Sequence, residues 1–452
     1  MAFSEIGTPL QEEANYRKYQ VASLTSALVS HHDLPLPKSM KVGLQAALSD
    51  AQLDAGQAVS QRQLSLSISA IATPAAAALP LNLCLILDHS GSMQGQPLDF
   101  VKQAALQIIE RLSPRDRLSV IAFDHKAKVL VPNQPVGDLT SLREQIDGLY
   151  ADGGTAIDEG LRLGIEELAK SRGDCVSQAF LLTDGENEHG DNDRCLKLAQ
   201  LATSYNLTLN TLGFGHHWNQ DVLERIADAG GGALAYIERL DAVLPAFANL
   251  FNRIQTVGLT NAHLLLTLAE GVRLAELKPI AQVAPDTIEL TPQSGPEAIA
   301  VRLGDLMVSV PRVVLANLYI HQLPLGRQPI AQVRVRYDDP ATGQNQVLSE
   351  LLNVEATVVT DYQPSIDPAV QPHILALAKY RQTQIAEDRL RQGDRTGAAT
   401  MLQSAAQTAL QMGDRTGATV LQVNATRLQS GEDLSEADRK KTRIVSKTIL
   451  QP

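Results

Sequence analysis

The sequence predicts a doubly wound, mostly parallel α/β sheet inserted into an antiparallel β-sandwich, followed by a helical C-terminal region. Three observations predict it. Strands and helices alternate over about 170 residues from Leu81, the order that builds a parallel sheet covered on both faces. Period-two alternation of apolar and polar residues flanks that stretch on either side, as expected of half-buried strands. Beyond about Asp367 the texture turns helical.

Residues 1–37 read as an irregular N-terminal segment with a short helical stretch around residues 12–28. Residues 38–78 read as the first part of the sandwich. KVGLQAAL and QRQLSLSISAIA alternate, with Leu64, Leu66, Ile68 and Ala70 on one side, and TPAAAALP follows as a linker. Residues 79–254 read as the α/β domain. LNLCLILD is a continuous apolar run ending in an acid, the mark of a strand buried on both faces. PLDFVKQAALQIIERL follows as an amphipathic helix opened by Pro97, whose missing N–H costs nothing in a first turn. RLSVIAFD, QAFLLTDG, LTLNTLGFG and ALAYIE then read as strands, separated by helical stretches. Residues 255–362 return to β texture in HLLLTL, DTIELTP, AIAVRL and RVVLANLYI, then a hairpin around DDPATG. Two or three N-terminal strands alone would be marginal, so they are expected to join these later ones in one sandwich. Residues 363–452 read as helical. GDRTGA occurs twice there, with Asp394 and Asp414 as candidate helix caps; two copies make no solenoid.

At 452 residues the chain is too long for one ordinary core. A net charge of −11 argues against nucleic acid or an anionic membrane surface as main partner. No basic-then-apolar leader and no apolar run of about 18 residues is seen. The three cysteines, Cys84, Cys175 and Cys195, have no CxxC spacing and demand no oxidising compartment. The cytoplasm is therefore the expected location.

The chemistry concentrates in Asp88-His89-Ser90-Gly91-Ser92, at the carboxyl end of the first buried strand. That edge of an open parallel sheet forms the crevice where ligands bind. One carboxylate and two hydroxyls in a tight loop are hard oxygen donors for a hard cation. Thr155 lies in the Gly153-Gly154-Thr155 loop before a helix, and Asp184 ends the strand QAFLLTD. His89 sits between candidate ligands and is expected to point outward. The trio Asp88-His89-Ser90 is a poor hydrolytic triad, because neighbours in a tight loop rarely reach one another as base and nucleophile. His125, His189, His216 and His217, with Asp152, Glu186 and Glu188, are expected near the same edge as solvated rim residues.

LILDHSGSM, DGGTAID and LLTDGE, in that order, resemble the metal-ion-dependent adhesion site (MIDAS) of von Willebrand factor A (VWA) domains, of the bacterial intracellular type. The resemblance covers about residues 81–252 and implies a Rossmann-like VWA sheet. It also implies a metal site at Asp88, Ser90, Ser92, Thr155 and Asp184, holding Mg²⁺ or else Mn²⁺ or Ca²⁺. A Glu or Asp carboxylate of a protein partner would complete the ion's shell. No catalytic and no organic cofactor-binding residue is expected, and neither nucleic acid nor a membrane span. The function so implied is that of a scaffold or assembly factor. Two alternatives stand beside it: an accessory subunit of an AAA+ ATPase in metal insertion or complex remodelling, and a metal-dependent hydrolase. In such domains the last helix moves when ligand binds; here that helix is about residues 240–255.

Overall fold

The computed structural model describes residues 41–71, 79–171, 175–215, 218–237, 239–295, 298–308 and 310–447. The helical stretch expected around residues 12–28 lies outside them, as do His216 and His217.

The chain begins with β1 (Val42–Leu48), β2 (Gln52–Asp54) and β3 (Val59–Ala70). The α/β domain follows: β4 (Leu81–Asp88), α1 (Gln96–Ile109), β5 (Arg117–Phe123), β6 (Ala127–Pro135), α2 (Leu139–Asp147), α3 (Ile157–Ala169), β7 (Val176–Thr183). It continues through α4 (Asn192–Ser204), β8 (Thr208–Phe214), α5 (Gln220–Gly230), β9 (Gly231–Ile237) and α6 (Val243–Ile254). Its sheet runs β6-β5-β4-β7-β8-β9, parallel throughout except for the antiparallel β5–β6 pair.

Every residue of β4 is buried, for a reason its alternation shows. Leu81, Leu83, Leu85 and Leu87 enter one core with α1, α2 and α6. Cys84 and Ile86 enter a second core with α3, α4 and α5. A strand with a helical layer on each face has no polar side to show. Small residues set the distance of α3 from the sheet: a Cβ on Gly164 would fall 2.5 Å from Ile86 Cδ1.

The second β block comprises β10 (Val257–Leu268), β11 (Val272–Leu274), β12 (Ile280–Ala284), β13 (Ile288–Leu290), β14 (Gln293–Ser294), β15 (Ile299–Met307) and β16 (Arg312–His321). It ends with β17 (Gly326–Asp339), β18 (Gln344–Leu348) and β19 (Leu352–Val359). One sheet runs β1-β3-β16-β12-β13 and the other β14-β15-β10-β17-β19-β2. The early strands thus join the late ones; β2 does so by a short parallel pairing with β19. Leu64, Leu66 and Ile68 of β3 are fully buried against Leu264, Leu266, Val333 and Val335 of the facing sheet. A Cβ on Gly258 would fall 3.0 Å from that of Ala70, so the strand ends entering and leaving the α/β domain, one from each sheet, come into contact.

Four helices follow: α7 (Gln371–Arg391), α8 (Arg395–Gln411), α9 (Arg415–Gln429) and α10 (Glu436–Lys447). The two GDRTGA copies break the helices as their composition suggests. Asp394 accepts from Gly397 N and Asp414 from Gly417 N, each at 2.8 Å, satisfying N–H groups that a helix start leaves open. α7 packs Val370, Ala376, Leu377 and Tyr380 on Ala281, Val283, Val313 and Leu315 of the sandwich. α10 lies against α5 of the α/β domain through Arg443, 3.3 Å from Glu224, and Lys447, 2.6 Å from Glu224.

Candidate metal centre

Three loops at the carboxyl edge of the α/β sheet build the site. Asp88 closes β4, and the peptide of Ser90 donates to its Oδ1 at 2.8 Å. Thr183, the last residue of β7, donates its hydroxyl to Asp88 Oδ2. Ser90 Oγ lies 3.1 Å from Ser92 Oγ, and Ser92 Oγ donates to Asp184 Oδ1 at 2.7 Å. Thr155 joins them from the loop before α3: a Cβ on Gly185 would come 3.1 Å from Thr155 Oγ1 and 3.7 Å from Ser92 Oγ. All five oxygen-bearing side chains singled out in the sequence therefore meet at one place.

Main-chain hydrogen bonds hold the loops to one another. Gly91 N donates to Gly153 O and Asp152 N to His89 O, both at 2.9 Å. His189 N donates to Thr155 O at 2.9 Å, tying the loop after β7 to the one before α3. Gly153 has φ +69°, and a Cβ there would meet His125 Nδ1 at 2.4 Å. A Cβ on Gly154 would meet His189 Cδ2 at 2.1 Å. Both imidazoles thus lie over the two glycines, where the rim reading put them; Asp152, Glu186 and Glu188 are exposed beside them.

His89 departs from expectation. Its side chain is buried rather than outward, with Nδ1 3.1 Å from Tyr150 O. A carbonyl only accepts, so Nδ1 carries the proton, and burial holds the ring's pKa below the usual range. His89 is thereby a neutral strut for the Tyr150 loop. Neither it nor Thr183 was legible as a positioning residue, because each acts on a partner distant in sequence.

Asp88 is buried, and that burial pushes its carboxyl up to about 7; the Thr183 and Ser90 hydrogen bonds oppose the shift and the Asp184 charge adds to it. Among the described residues no group of three or more His, Cys, Asp or Glu side chains is arranged to hold an ion. A cation at this edge would draw on two carboxylates and three hydroxyls, a hard oxygen set that suits a divalent ion of the Mg²⁺ kind. The residues present fit such an ion, and it would supply positive charge beside the buried Asp88 carboxylate and the Asp184 charge.

Among the described residues no helix is long and apolar enough to cross a membrane, and the three cysteines are free.

Comparison with known proteins agrees with this architecture. The von Willebrand factor type A domain model matches residues 82–248, and the Sll0103-like, C-terminal alpha-helical domain model matches residues 368–452. VWA domains typically act in protein–protein interaction and often bind a divalent metal. The "Uncharacterized protein sll0103" of Synechocystis sp. is 62% identical over 413 residues, covering 91% of this chain and 98% of its own. Human inter-alpha-trypsin inhibitor heavy chain H4 is 31% identical over 178 residues, 37% of this chain but 19% of that protein. The solved von Willebrand factor type A protein from Catenulispora acidiphila superposes with a TM-score of 0.77 at 18% identity, covering 92% of this chain and 99% of that one. The ArnB paralog VWA2 from Sulfolobus acidocaldarius gives 0.55 at 15% identity, over 90% and 99% of the two chains, and like the former shows the fold alone. The chain belongs to the family of the Synechocystis sll0103 protein, in which a VWA domain is joined to an Sll0103-like C-terminal helical domain.

Proposed function

We propose that this protein is a Mg²⁺-dependent interaction module that grips a Glu or Asp carboxylate of a protein partner. Asp88, Ser90, Ser92, Thr155 and Asp184 would hold the ion, with Mn²⁺ or Ca²⁺ as possible substitutes. Once bound, the ion supplies an electrophilic position open to an incoming carboxylate oxygen. The observation that carries the reading is the convergence of the Ser92–Asp184 hydrogen bond and the Thr155 hydroxyl on one edge.

The chain's own residues have separable tasks. Asp88 provides charge from beneath and is kept in place by Ser90 N and Thr183. Ser90, Ser92 and Thr155 provide neutral oxygens, which leave the ion's charge largely uncancelled. Asp184 provides the second charge and aligns Ser92. Tyr150, exposed and held through its carbonyl by His89, offers an apolar contact beside the site. A scaffold or assembly factor in the Mg²⁺-rich cytoplasm suits this design, with the sandwich and helical domains as further contact surfaces. α6 runs directly into β10, so a shift of α6 on binding would reach the sandwich.

The test is a pull-down from native extract with the full chain in Mg²⁺, in chelator, and as Asp88→Ala. Partners held only by the unaltered chain in Mg²⁺ support the reading. Equal recovery in all three conditions moves the binding surface elsewhere.

A further inference from the structure

A cavity of about 500 Å³ opens between α4 and α5 of the VWA domain, β13 to β16 of the sandwich, and Tyr380 of α7. Gly231, which begins β9, lies on its wall. Since β9 runs parallel with β8, β7 and β4, the cavity is at the edge of the sheet opposite Asp88.

The charges on its wall are unevenly matched. Asp228 is bound by Lys447 at 2.9 Å and Glu289 by Arg381 at 2.9 Å. Arg312 donates to Asp305 O at 2.8 Å and to Gln282 Oε1 at 2.6 Å. Arg302 and Arg225 differ: among the described residues neither guanidinium has a hydrogen-bond or ion-pair partner. The opposite charge that acts on Arg302 is Asp305, whose Oδ2 already accepts from Gln178 at 2.7 Å and Thr208 at 2.9 Å. Burial lowers the Arg302 pKa from its ordinary value.

The backbone makes room for this cation. Gly231 has φ +71°, and a Cβ there would fall 2.5 Å from Arg302 Nη1. The carboxyl end of α5 faces the same spot and its dipole offsets part of the cost of burial, yet it gives the guanidinium no acceptor at hydrogen-bond distance. Arg302 is half-buried, its guanidinium has no acceptor among the described residues, and five donors in a planar fork match a carboxylate or phosphate group. Leu196, Ile288 and Leu290 are among the apolar residues of the wall, and the volume falls in the range of small-molecule sites.

We propose that this cavity binds a small organic anion, its carboxylate or phosphate group on Arg302 and Arg225 and its apolar body against Leu196, Ile288 and Leu290. Such a ligand would brace the three domains where they meet, independently of the metal site.

The test is calorimetry and thermal unfolding of the full chain with phenyl phosphate, 3-phenylpropionate and inorganic phosphate, at matched ionic strength in chloride. One of the two aromatic anions is expected to bind one-to-one, more tightly than inorganic phosphate, and to raise the Tm. Which one binds identifies the head group. Arg302→Gln should weaken that binding about tenfold or more while leaving the anion-free Tm unchanged, since the guanidinium makes no hydrogen bond or ion pair among the described residues. Arg225→Gln, at an exposed position, should weaken binding several-fold at unchanged Tm. The proposal is overturned if no probe binds saturably at millimolar concentration, or if either variant binds as the unaltered chain does. A fall in the anion-free Tm of Arg302→Gln overturns it too, because the arginine would then be a structural contact.

Discussion

Ser92 and Asp184 stand 92 positions apart in sequence and share a hydrogen bond of 2.7 Å, which only the parallel pairing of β4 with β7 allows. Substituting Asp88 by Ala is expected to abolish Mg²⁺-dependent partner capture while the fold persists, since it also removes a costly buried carboxylate; circular dichroism and the pull-down together check this. Gly153→Ala is expected to cost about 1 kcal/mol in stability, because φ there is positive. It should also weaken Mg²⁺ binding by displacing the His125 ring; denaturant unfolding and a Mg²⁺ titration measure the two effects. The oxygen-bearing side chains that meet at this edge were legible because each sits in a short motif, at or just after a strand end or, for Thr155, before a helix, where local sequence suffices. Thr183 and His89 were not, since what they do depends on which loop the fold brings beside them.

At the scale of elements, the buried strands declared themselves and the edge did not. β6 escaped the sequence reading because AKVLVPNQP carries two prolines and is mostly exposed, as an edge strand can be. A basic run such as Arg439-Lys440-Lys441 would ordinarily mark a solvated helix face, but Lys440 of α10 is buried. Its ammonium donates to Trp218 O at 2.7 Å and stands 4.7 Å from the centre of the Trp218 ring. Nothing in a basic triplet announces an aromatic partner more than two hundred residues upstream. Lys440→Met is expected to lower stability by about 2 kcal/mol, the worth of a desolvated cation–π contact, and to loosen α10 first; urea unfolding and limited proteolysis report each. α6 gives a second test: cross-linking it to the sheet should change partner affinity if its movement accompanies binding. Unaltered affinity, with unaltered mobility of β10, would leave α6 a passive connector.

Across the whole molecule, the VWA domain is gripped from two sides, by the sandwich that it interrupts and by the helices that follow. The insertion was legible because β1 and β3 are too few to stand alone; the clamp by α10 was not, because it is made of ion pairs between distant segments. Glu387 lies in that clamp, 3.2 Å from Arg443. Burial raises its carboxyl from the ordinary 4.5 to about 7, with Arg443 opposing and the Glu224 charge adding. Between those two values the native state keeps a proton that the unfolded chain has lost. Stability from this group is therefore full at low pH and falls as pH rises through the window, by on the order of 3 kcal/mol. Glu387→Gln should flatten that slope in a plot of Tm against pH and match or exceed the unaltered chain at alkaline pH. An unchanged slope would assign the dependence to other groups.

The proposed function requires one divalent ion where three loops meet at the carboxyl edge of the sheet. Crystals of the full chain grown in MnCl₂ would locate it through its anomalous signal. One strong peak is expected among the oxygens of Ser90, Ser92 and Thr155, lost in Asp88→Ala crystals grown the same way. Well-ordered loops with no peak between them, or a peak indifferent to Asp88, would contradict the proposal.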